Sequence, residues 1–590
     1  MTRPPRGEAA AAAALVLAGV GLRLLAVTRY RTEPLSDFRG LVLFGVRLRD
    51  EGLAVPGWHW VQFSPGLPLI LSGLFRLFPH GVTGVARTAT AVATGLLPLA
   101  PFLLWRPILS FRGRVLAGAL LALWPGQVLF SGVPAQENWA LLPTVALGCL
   151  AARRLRLRDG PAWPIAAGLL FAAAAAIRQE LLVVLVPPAL AAAGLPGPSP
   201  RRARRFAAFV LAALVPLFAL AAERRAATGR FAVLTEHGGL GLLGTVVPGS
   251  AAAGWADPTL YAASLDPAYA RDQAGLRRDA GRLAVREMRR RWRFHAYRAV
   301  VAALGLSVDG ERENLFWSLE APGALPPPRA AAGAALARTA ASWLRIELAL
   351  VTSAFAAAVA LALRRRDAAI LVLAASVLLK FGVQVLFSPL GRLMLPATAL
   401  ELLAVALGAA LLGEGSTRGE RAAAVSGTLA LAALLLLAVP PLRAFAIAKD
   451  EPPPVLSRFP LAIAGGGGLA DCSVAAGRLH SIAGDRAWLD AEDEAGPARV
   501  ACRLPPLSSD AALGIDLEAS DLSSLRIEAD GRERSSFGPG SAPGWRSAGL
   551  SAAGEPAPSS VVLAASGRFG FGFVRRAPAA PRLPRDRALP

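Results

Sequence analysis

The chain of 590 residues contains eleven long apolar stretches, and arginine clusters occupy every second connection between them. A helix needs about 20 mainly apolar residues to cross a bilayer, and these stretches come close to that length. The windows are 9–27, 82–105, 115–131, 137–152, 162–177, 180–194, 206–222, 343–363, 368–387, 393–413 and 421–440. The sequence therefore predicts an α-helical integral membrane protein with about eleven transmembrane helices.

Composition supports this class and argues against the obvious alternative. The chain is 54% hydrophobic, with a mean hydropathy of +0.46, which is too apolar for a soluble protein of this length. A formal charge of +22 would suggest nucleic acid as the partner of a soluble domain. Here many arginines lie in short clusters beside apolar windows, where they anchor topology. The lipid bilayer is the expected partner, and no nucleic acid is expected.

The arginine clusters also predict which connections face the cytoplasm. Arginines crowd the even-numbered turns, which are 106–114, 153–158, 201–205 and 364–366. The positive-inside rule places these turns, and the N-terminus with Arg3 and Arg6, in the cytoplasm. The connections predicted to lie outside are 28–81, 132–136, 178–179, 223–342, 388–392 and everything after residue 440. Because Arg23 interrupts the first window and many spans follow, an uncleaved helix is favoured over a cleaved signal peptide.

Four ionisable residues fall on the outer side in this topology. Asp37 lies in the first outer loop, Glu137 at the outer mouth of the fourth window, Arg178 in a very short turn, and Arg392 at the start of the tenth window. Single charged residues at span ends usually anchor the helix or extend toward water. Two acids and two arginines on one side of the membrane instead favour a shared functional site.

Two outer segments have the pattern of surface helices. Segment 65–78 is apolar but only about a dozen residues long, which is typical of an interfacial or re-entrant helix. Residues 268–300 carry arginines and apolar residues at helical spacing. This second pattern fits an amphipathic helix on the membrane surface, and it fits equally a helix packed on the rest of the protein.

The composition changes after residue 450 to glycine, proline, serine and short alternating runs. We predict a multi-span membrane domain over 1–445, a linker over 446–470, and an extracytoplasmic β-rich domain over 471–590. Cys472 and Cys502 lie in that last region and could form a disulfide in an oxidising compartment. The sequence has no Cys-x-x-Cys, His-x-Cys or His-Glu-x-x-His motif, so no metal is expected.

Several outer motifs together resemble the GT-C superfamily of integral-membrane glycosyltransferases that use polyprenyl-phosphate sugars. The likeness is to the protein-mannosyltransferase and aminoarabinose-transferase-like group, of the glycosyltransferase family 39 type, over roughly residues 10–440. The matching motifs are the acid Asp37 in the first outer loop, Ser64-Pro-Gly-Leu-Pro-Leu, Ser131-Gly-Val-Pro-Ala-Gln-Glu-Asn, the Ala-Ile-Arg-Gln-Glu turn at 176–180, Gly391-Arg-Leu-Met-Leu-Pro, and the large loop segment 229–257. The family often has an Asp-Glu pair in the first loop, where this chain has Ser36-Asp37.

The resemblance implies an inverting hexosyl or pentosyl transferase of the cytoplasmic (inner) membrane, with its active site facing the periplasm or the outside. The donor would be a polyprenyl-phosphate sugar, the acceptor a lipid, glycan or protein of the cell envelope, and no cofactor is expected. Asp37 would be the base that takes the acceptor hydroxyl proton. Glu137 would orient the acceptor or the sugar, and Arg178 and Arg392 would grip the phosphate.

His59, with Trp58 and Trp60, is a further candidate for binding the sugar ring. Aromatic residues near a membrane interface more often anchor the protein there, so this second interpretation stays open. Two other functions also stay open for the whole chain. One is a multi-span transporter or flippase of lipid-linked substrates, which Arg23 and Lys380 inside predicted spans would suit. The other is an inactive cell-envelope scaffold whose β domain binds a polymer.

Overall fold

The structure is a computed structural model of the chain. It describes residues 6–55, 59–60, 63–157, 163–195, 202–229, 231–232, 238–270, 272–321, 324–387, 389–414, 416–451, 458–464, 469–476, 478–483, 486–490, 498–505, 512–519, 524–537, 544–551, 558–566 and 569–576. Two compact units emerge from it. The first comprises Met1–His237 with Tyr297–Ala446, and the second comprises Gly238–Ala296 with Ile447–Ala588.

All regular secondary structure in the described residues of the first unit is helical. Its α-helices are α1 Arg6–Tyr30, α2 Ser36–Asp50, α3 Gly66–Leu77, α4 Val82–Gly95, α5 Leu99–Leu104, α6 Phe111–Ala122, α7 Pro125–Phe130, α8 Gln136–Leu157, α9 Pro164–Ile177, α10 Leu181–Val184, α11 Val186–Ala192 and α12 Arg202–Thr228. The later helices are α17 Trp292–Asp309, which begins in the second unit, α18 Arg312–Leu315, α19 Pro327–Arg365, α20 Ala368–Phe387, α21 Leu395–Gly413 and α22 Arg418–Lys449, whose last turn belongs to the second unit. Short 3₁₀ helices occur at Gly52–Ala54 and Gly391–Met394, and a π-helix at Phe316–Glu320.

Seven helices in the described part of the chain are long and apolar enough to cross a membrane. They are Gly7–Tyr30, Val82–Leu104, Arg202–Thr228, Pro328–Arg365, Ala368–Phe387, Gly391–Gly413 and Arg418–Lys449. Each coincides with one of the predicted windows. The architecture is consistent with a helical, multi-pass membrane protein, which agrees with the coarser part of the sequence prediction.

The other four predicted windows have a different local structure. Window 115–131 is divided between α6 and α7, and window 180–194 is divided between α10 and α11. Window 162–177 contains α9, which has only 14 residues. Window 137–152 lies within α8, which has 22 residues, contains Pro143 and ends in arginines. Apolar content alone does not reveal such helix breaks, because apolar residues occur in short and long helices alike.

A buried arginine donates hydrogen bonds to the backbone carbonyls that are left free at the break between α6 and α7. Pro125 begins α7, and because a proline has no N–H it cannot donate a helical hydrogen bond to the carbonyl oxygen of Leu121. The carbonyls of Leu121 and Ala122 instead accept hydrogen bonds from the Arg23 guanidinium, at 3.0 and 2.8 Å. Arg23 also donates to Oε1 of Gln127, at 2.7 Å. Arg23 is therefore a structural residue, which explains one of the two charges that had suggested transport.

We expect Arg23→Met to destabilise the protein by roughly 2–5 kcal/mol. Two buried carbonyls and the Gln127 amide would lose their partner, and water cannot replace it inside the helices. The control is Arg29→Met, because Arg29 is exposed at the end of the same helix. Thermal unfolding of the three proteins in one detergent measures the effect. Equal melting temperatures for the Arg23→Met and Arg29→Met proteins would contradict the structural role.

The second unit combines short helices with strands. Its helices are α13 Gly238–Val246, α14 Ser250–Ala253, α15 Thr259–Leu265 and α16 Gln273–Arg290, with a 3₁₀ helix at Pro267–Ala270. The apolar face of α16 packs on α13 and α15, where Leu276, Ala280 and Leu283 are buried. The packed interpretation of the 268–300 pattern is therefore correct for this face. The arginine-bearing face of α16 is exposed.

Antiparallel pairings dominate the strands of this unit. The strands are β1 Arg458–Ala464, β2 Leu469–Ala476, β3 Arg478–Ala483, β4 Arg486–Asp490, β5 Ala498–Arg503, β6 Ala512–Ala519, β7 Ser524–Ala529, β8 Arg532–Phe537, β9 Gly544–Ser551, β10 Ser560–Ser566 and β11 Phe569–Arg576. The pairing order is β3-β4-β11-β1-β2-β5-β10-β7-β8, with β6 between β11 and β9, and only β1 and β11 are parallel. Strand β1 lies inside the predicted linker. Cys472 and Cys502 face each other on β2 and β5 and form a disulfide.

Candidate functional site

The structure brings the four predicted charged residues into one cluster. Arg178 forms an ion pair with Glu137, with 3.2 Å between Nη1 and Oε1. Arg392 lies 3.8 Å from Asp37, measured from Nη2 to Oδ2. The two pairs are also close to each other, because Asp37 acts electrostatically on Arg178. The cluster therefore joins four separate parts of the sequence. The first and last of them, at residues 37 and 392, are more than 350 residues apart.

On one side of the cluster, Arg178 is held by several acceptors. Its guanidinium contacts Oε1 of Glu180 at 2.7 Å through Nη2 and donates to Oε1 of Gln136 at 3.4 Å through Nη1. Lys380, which is fully buried in α20, donates to the same Glu180 oxygen at 3.0 Å. Glu137 is itself buried at the first turn of α8. Buried charges require such close pairing, so this half of the cluster is firmly structured.

On the other side, Arg392 is held by Glu313 and two aromatic rings. Its Nε lies 3.2 Å from Oε1 of Glu313, and its backbone N–H donates to Oε2 at 3.1 Å. The guanidinium carbon lies 4.9 Å from the centre of the Phe38 ring and 5.3 Å from that of Trp317. Trp317 also donates from its indole nitrogen to Glu313, at 3.2 Å. Stacking and the carboxylate together fix the plane and direction of the Arg392 side chain.

The two acids that contact Arg392 differ in their surroundings. Burial raises the pKa of Glu313 above its ordinary value, although the neighbouring Arg392 acts to lower it. The side chain of Asp37, in contrast, is 56% exposed at the first turn of α2. Asp37 is therefore the carboxylate of the cluster that a substrate can reach, and its contact with Arg392 is the longest of the ion pairs described above.

Close backbone contacts at two glycines bring these loops together. A Cβ atom at Gly391 would lie 1.7 Å from the carbonyl oxygen of Gly310, so no larger residue fits there. This approach places Arg392 beside Glu313. A Cβ atom at Gly66 would similarly lie 2.6 Å from the backbone of Ala176, which joins the start of α3 to the end of α9. The Ser-Pro-Gly motif thus packs next to the turn that carries Arg178.

Amide side chains fix the start of α8, where Glu137 lies. Gln136 donates to the carbonyl oxygen of Ser64 at 2.9 Å while its own oxygen accepts from Arg178. Asn138 donates to the carbonyls of Phe130 and Val133, at 3.0 Å each. Its oxygen accepts from Gln127, which is bonded to Arg23. The structural network around Arg23 therefore continues to the residue that follows Glu137.

The aromatic candidates do not join the cluster. His59 is 1% exposed and its ring centre lies 5.2 Å from that of Phe44. Trp60 is fully buried and meets the same Phe44 ring edge-on, at 5.5 Å. Trp58 lies outside the described residues. His59 and Trp60 are thus placed in a core between helices and not on an accessible surface.

The structure adds four residues that the sequence analysis did not assign to the site. Glu313 and Trp317 come from the long segment 223–342, which was predicted to lie outside, and they fall beyond its one periodic stretch at 268–300. Glu180 and Lys380 pair across 200 positions. A lysine alone in an apolar span does indicate a buried acidic partner, so this signal was present in the sequence. A lysine in a span would also suit a transporter, but in the structure Lys380 pairs with Glu180 of the charged cluster.

An apolar opening lies beside the Arg178 turn. Ser64, Pro65, Ala175, Ala176, Leu217 and Leu220 line it, and Arg224 borders it from α12. Its walls come from α9, α12 and the residues that lead into α3. The opening has room for only about one water molecule, so it is a gap between helices and not a cavity for a lipid chain.

Comparison with models of protein families and with curated proteins found no match. The cluster contains four carboxylates, from Asp37, Glu137, Glu180 and Glu313, and three cations, from Arg178, Lys380 and Arg392. Within the part of the chain that the structure describes, no group of three or more His, Cys, Asp or Glu side chains is arranged to hold a metal ion.

Proposed function

We propose that the protein transfers a sugar from a polyprenyl-phosphate donor to an acceptor hydroxyl at the outer face of the cytoplasmic membrane, as an inverting GT-C-type glycosyltransferase. The single observation that carries the proposal is the pairing of the exposed Asp37 carboxylate with the stacked Arg392 guanidinium. A base and a phosphate-binding cation at one accessible point are what this reaction needs. The resemblance of the motifs to that superfamily, in their order along the chain, also supports the proposal.

The reaction places one demand on each of these two residues. The acceptor oxygen attacks the anomeric carbon while the bond from that carbon to the phosphate oxygen breaks. Asp37 takes the acceptor hydroxyl proton, and the leaving phosphate departs with the electron pair. Arg392 stabilises the charge that develops on that phosphate. A single displacement of this kind inverts the configuration of the sugar.

The ion pairs also suggest an order of events. Arg392 is anchored through Glu313 and the two rings, whereas its contact with Asp37 spans 3.8 Å and is open to solvent. A donor phosphate therefore competes with Asp37 for the outer edge of the guanidinium. When the phosphate binds, the Asp37 carboxylate loses its contact with Arg392 and is free to accept the hydrogen bond of the acceptor hydroxyl. Donor binding would thereby free the base before the acceptor is used.

Arg178, Glu137 and Lys380 support the proposal in a different way. The Arg178 guanidinium is shared between Glu137 and Glu180, and Lys380 compensates Glu180 from inside the bundle. We assign Glu137 to orientation of the sugar or acceptor, and Arg178 to a second contact with the donor phosphate. These roles all belong to one lipid-phosphate-sugar site.

Mass analysis of cell-envelope glycans and lipid-linked sugars, with and without the gene, tests the function. Loss of the gene should remove one sugar from an envelope molecule and cause its polyprenyl-phosphate donor to accumulate. Restoring the gene should reverse both changes. Identical glycan and lipid-linked sugar profiles in the two strains would contradict the proposal.

Transport or flipping of a lipid-linked substrate is the second candidate. It is favoured by a buried acid within a candidate membrane span, Glu401 in α21. Intramembrane acids are typical of proton-coupled or ion-coupled transport. A transporter moves the lipid-linked sugar across the bilayer intact, so the sugar–phosphate bond would survive. The inactive-scaffold alternative predicts neither cleavage nor movement.

The outward placement of the site makes a separate prediction about topology. A periplasmic-type enzyme reporter fused after residue 450 should be active outside the cytoplasm. Fusions within the arginine-rich turns, after residues 158 and 366, should be inactive and serve as controls. Because Asp37 and Arg392 are in contact, they occupy one side of the membrane in any topology. Activity of the reporter after residue 366 and not after residue 450 would place the chemistry on the cytoplasmic side.

A further inference from the structure

The exposed face of α16 carries a stripe of arginines in the second unit. Arg278, Arg282, Arg286 and Arg289 follow each other at spacings of three or four residues, which places them on one face of the helix. Arg293 continues the series in the first turn of α17. The side chains of all five are exposed. We call this set the arginine stripe.

The direction of the arginine stripe is fixed by the opposite face of the helix. Leu276, Ala280, Leu283 and Ala284 are buried against α13 and α15. Because the apolar face already has its partner within the unit, the helix cannot rotate to hide the arginines. The stripe is therefore a permanent feature of the surface and requires its own explanation.

Two exposed apolar side chains lie beside the arginine stripe. Val285 is 42% exposed and Trp292 is 63% exposed. Arg293 lies over the Trp292 ring, with 5.5 Å between the guanidinium carbon and the ring centre. An exposed tryptophan next to arginines is typical of the boundary between lipid headgroups and acyl chains. A surface that contacts only water would gain nothing from Trp292.

The charge on this face is not balanced by acids of the same unit. Arg282 pairs with Asp279 and Arg278 with Asp272, both at exposed positions where such pairs are weak. Among the described residues, no ion pair with a carboxylate is found for Arg286, Arg289 or Arg293. Excess positive charge on an exposed helix attracts a surface rich in phosphate.

We propose that the arginine stripe and Trp292 bind the surface of a bilayer that contains anionic phospholipids, with phosphatidylglycerol-type headgroups contacting the arginines. The chain supplies the reason for choosing a lipid surface over a soluble polyanion. In the sequence, the stripe lies between α12 and α19, two helices that are long and apolar enough to span a membrane. This surface is independent of the proposed glycosyl transfer.

The test uses the full chain in a nonionic detergent, titrated with phosphatidylglycerol and, separately, with phosphatidylcholine. The signal is the fluorescence of Trp292, obtained as the difference between the wild-type protein and Trp292→Phe. We expect phosphatidylglycerol to shift this emission to shorter wavelength, and phosphatidylcholine to leave it unchanged. Inorganic phosphate at equal concentration should also leave it unchanged, because the ligand is a lipid surface and not a free anion.

Replacing Arg282, Arg286 and Arg289 together by glutamine should raise the phosphatidylglycerol fraction needed for the half-maximal shift by about fivefold per arginine removed. The matched control replaces three exposed arginines on strands, Arg499, Arg503 and Arg532, and should behave like the wild type. Lysine at the three stripe positions should retain most of the response, which guards against simple misfolding. An equal response to both lipids, a response to inorganic phosphate, or an unchanged glutamine variant would each overturn the proposal.

Discussion

Asp37→Asn should lower sugar transfer by a factor of about 10²–10⁴, the usual contribution of a general base. Asparagine has nearly the same shape as aspartate but cannot accept the acceptor proton. Because Asp37 is 56% exposed and its contact with Arg392 is long, the change should not affect folding. Transfer is measured as the modified envelope glycan in cells that lack the chromosomal gene and carry the variant.

Asp50→Asn is the matched control for this experiment. Asp50 lies at the opposite end of the same helix, its side chain is 53% exposed, and it also pairs with an arginine, Arg49. This variant should transfer sugar at the wild-type rate. If Asp37→Asn also transferred at the wild-type rate while present in the membrane at equal amount, Asp37 would not be the base.

Arg392→Ala should reduce the efficiency of donor use by roughly 10²–10³-fold, the magnitude seen when one preorganised charge-stabilising donor is removed. The loss should appear in both KM for the donor and kcat, because Arg392 contacts the phosphate before and during departure. Arg392→Lys should restore only part of the activity. Lysine keeps the charge but cannot stack between Phe38 and Trp317 or present two parallel donors.

Arg49→Ala controls for the general effect of removing a partly buried, paired arginine. Arg49 is bonded to Asp50 on α2, away from the proposed donor site. Donor titrations in isolated membranes that contain equal amounts of each variant give the comparison. Wild-type KM and kcat for Arg392→Ala would show that the guanidinium does not bind the donor phosphate.

The membrane class could be predicted from the sequence because it depends on a local property. A span requires only length and apolar content, and both are visible in a single window. The break between α6 and α7 depends instead on Pro125 and on a distant arginine that satisfies the freed carbonyls. The same holds for the second unit, where Gly238–Ala296 joins Ile447–Ala588 across about 150 intervening residues. Such long-range pairings leave no pattern in either segment alone.

Part of the candidate site could be predicted from the sequence, because the predicted membrane topology places only some charged residues on the outer side. Asp37, Glu137, Arg178 and Arg392 were chosen because all four fall on the predicted outer side, and they lie together in the structure. Glu313 could not be assigned to the site from the sequence, because it is one of several acids in a long segment between apolar windows. The backbone contact between Gly310 and Gly391 brings it to Arg392.

The burial of His59 was also beyond the sequence pattern. Its two tryptophan neighbours suggest either a sugar-binding surface or an anchor at the membrane interface, and neither interpretation predicts burial in a core. The burial comes from the contact with Phe44 on α2, which depends on packing between separate segments of the chain.

The most direct test of the proposed function follows the sugar–phosphate bond of the donor. The full-length protein, purified and placed in lipid nanodiscs, is mixed with an envelope extract as acceptor and with polyprenyl-phosphate sugars that carry a labelled sugar. With the wild-type protein, we expect one donor to release free polyprenyl phosphate while its label moves to the acceptor. With Asp37→Asn, we expect neither change. Donors that all remain intact with the wild-type protein, in an extract shown to contain the unmodified acceptor, would contradict the proposed function.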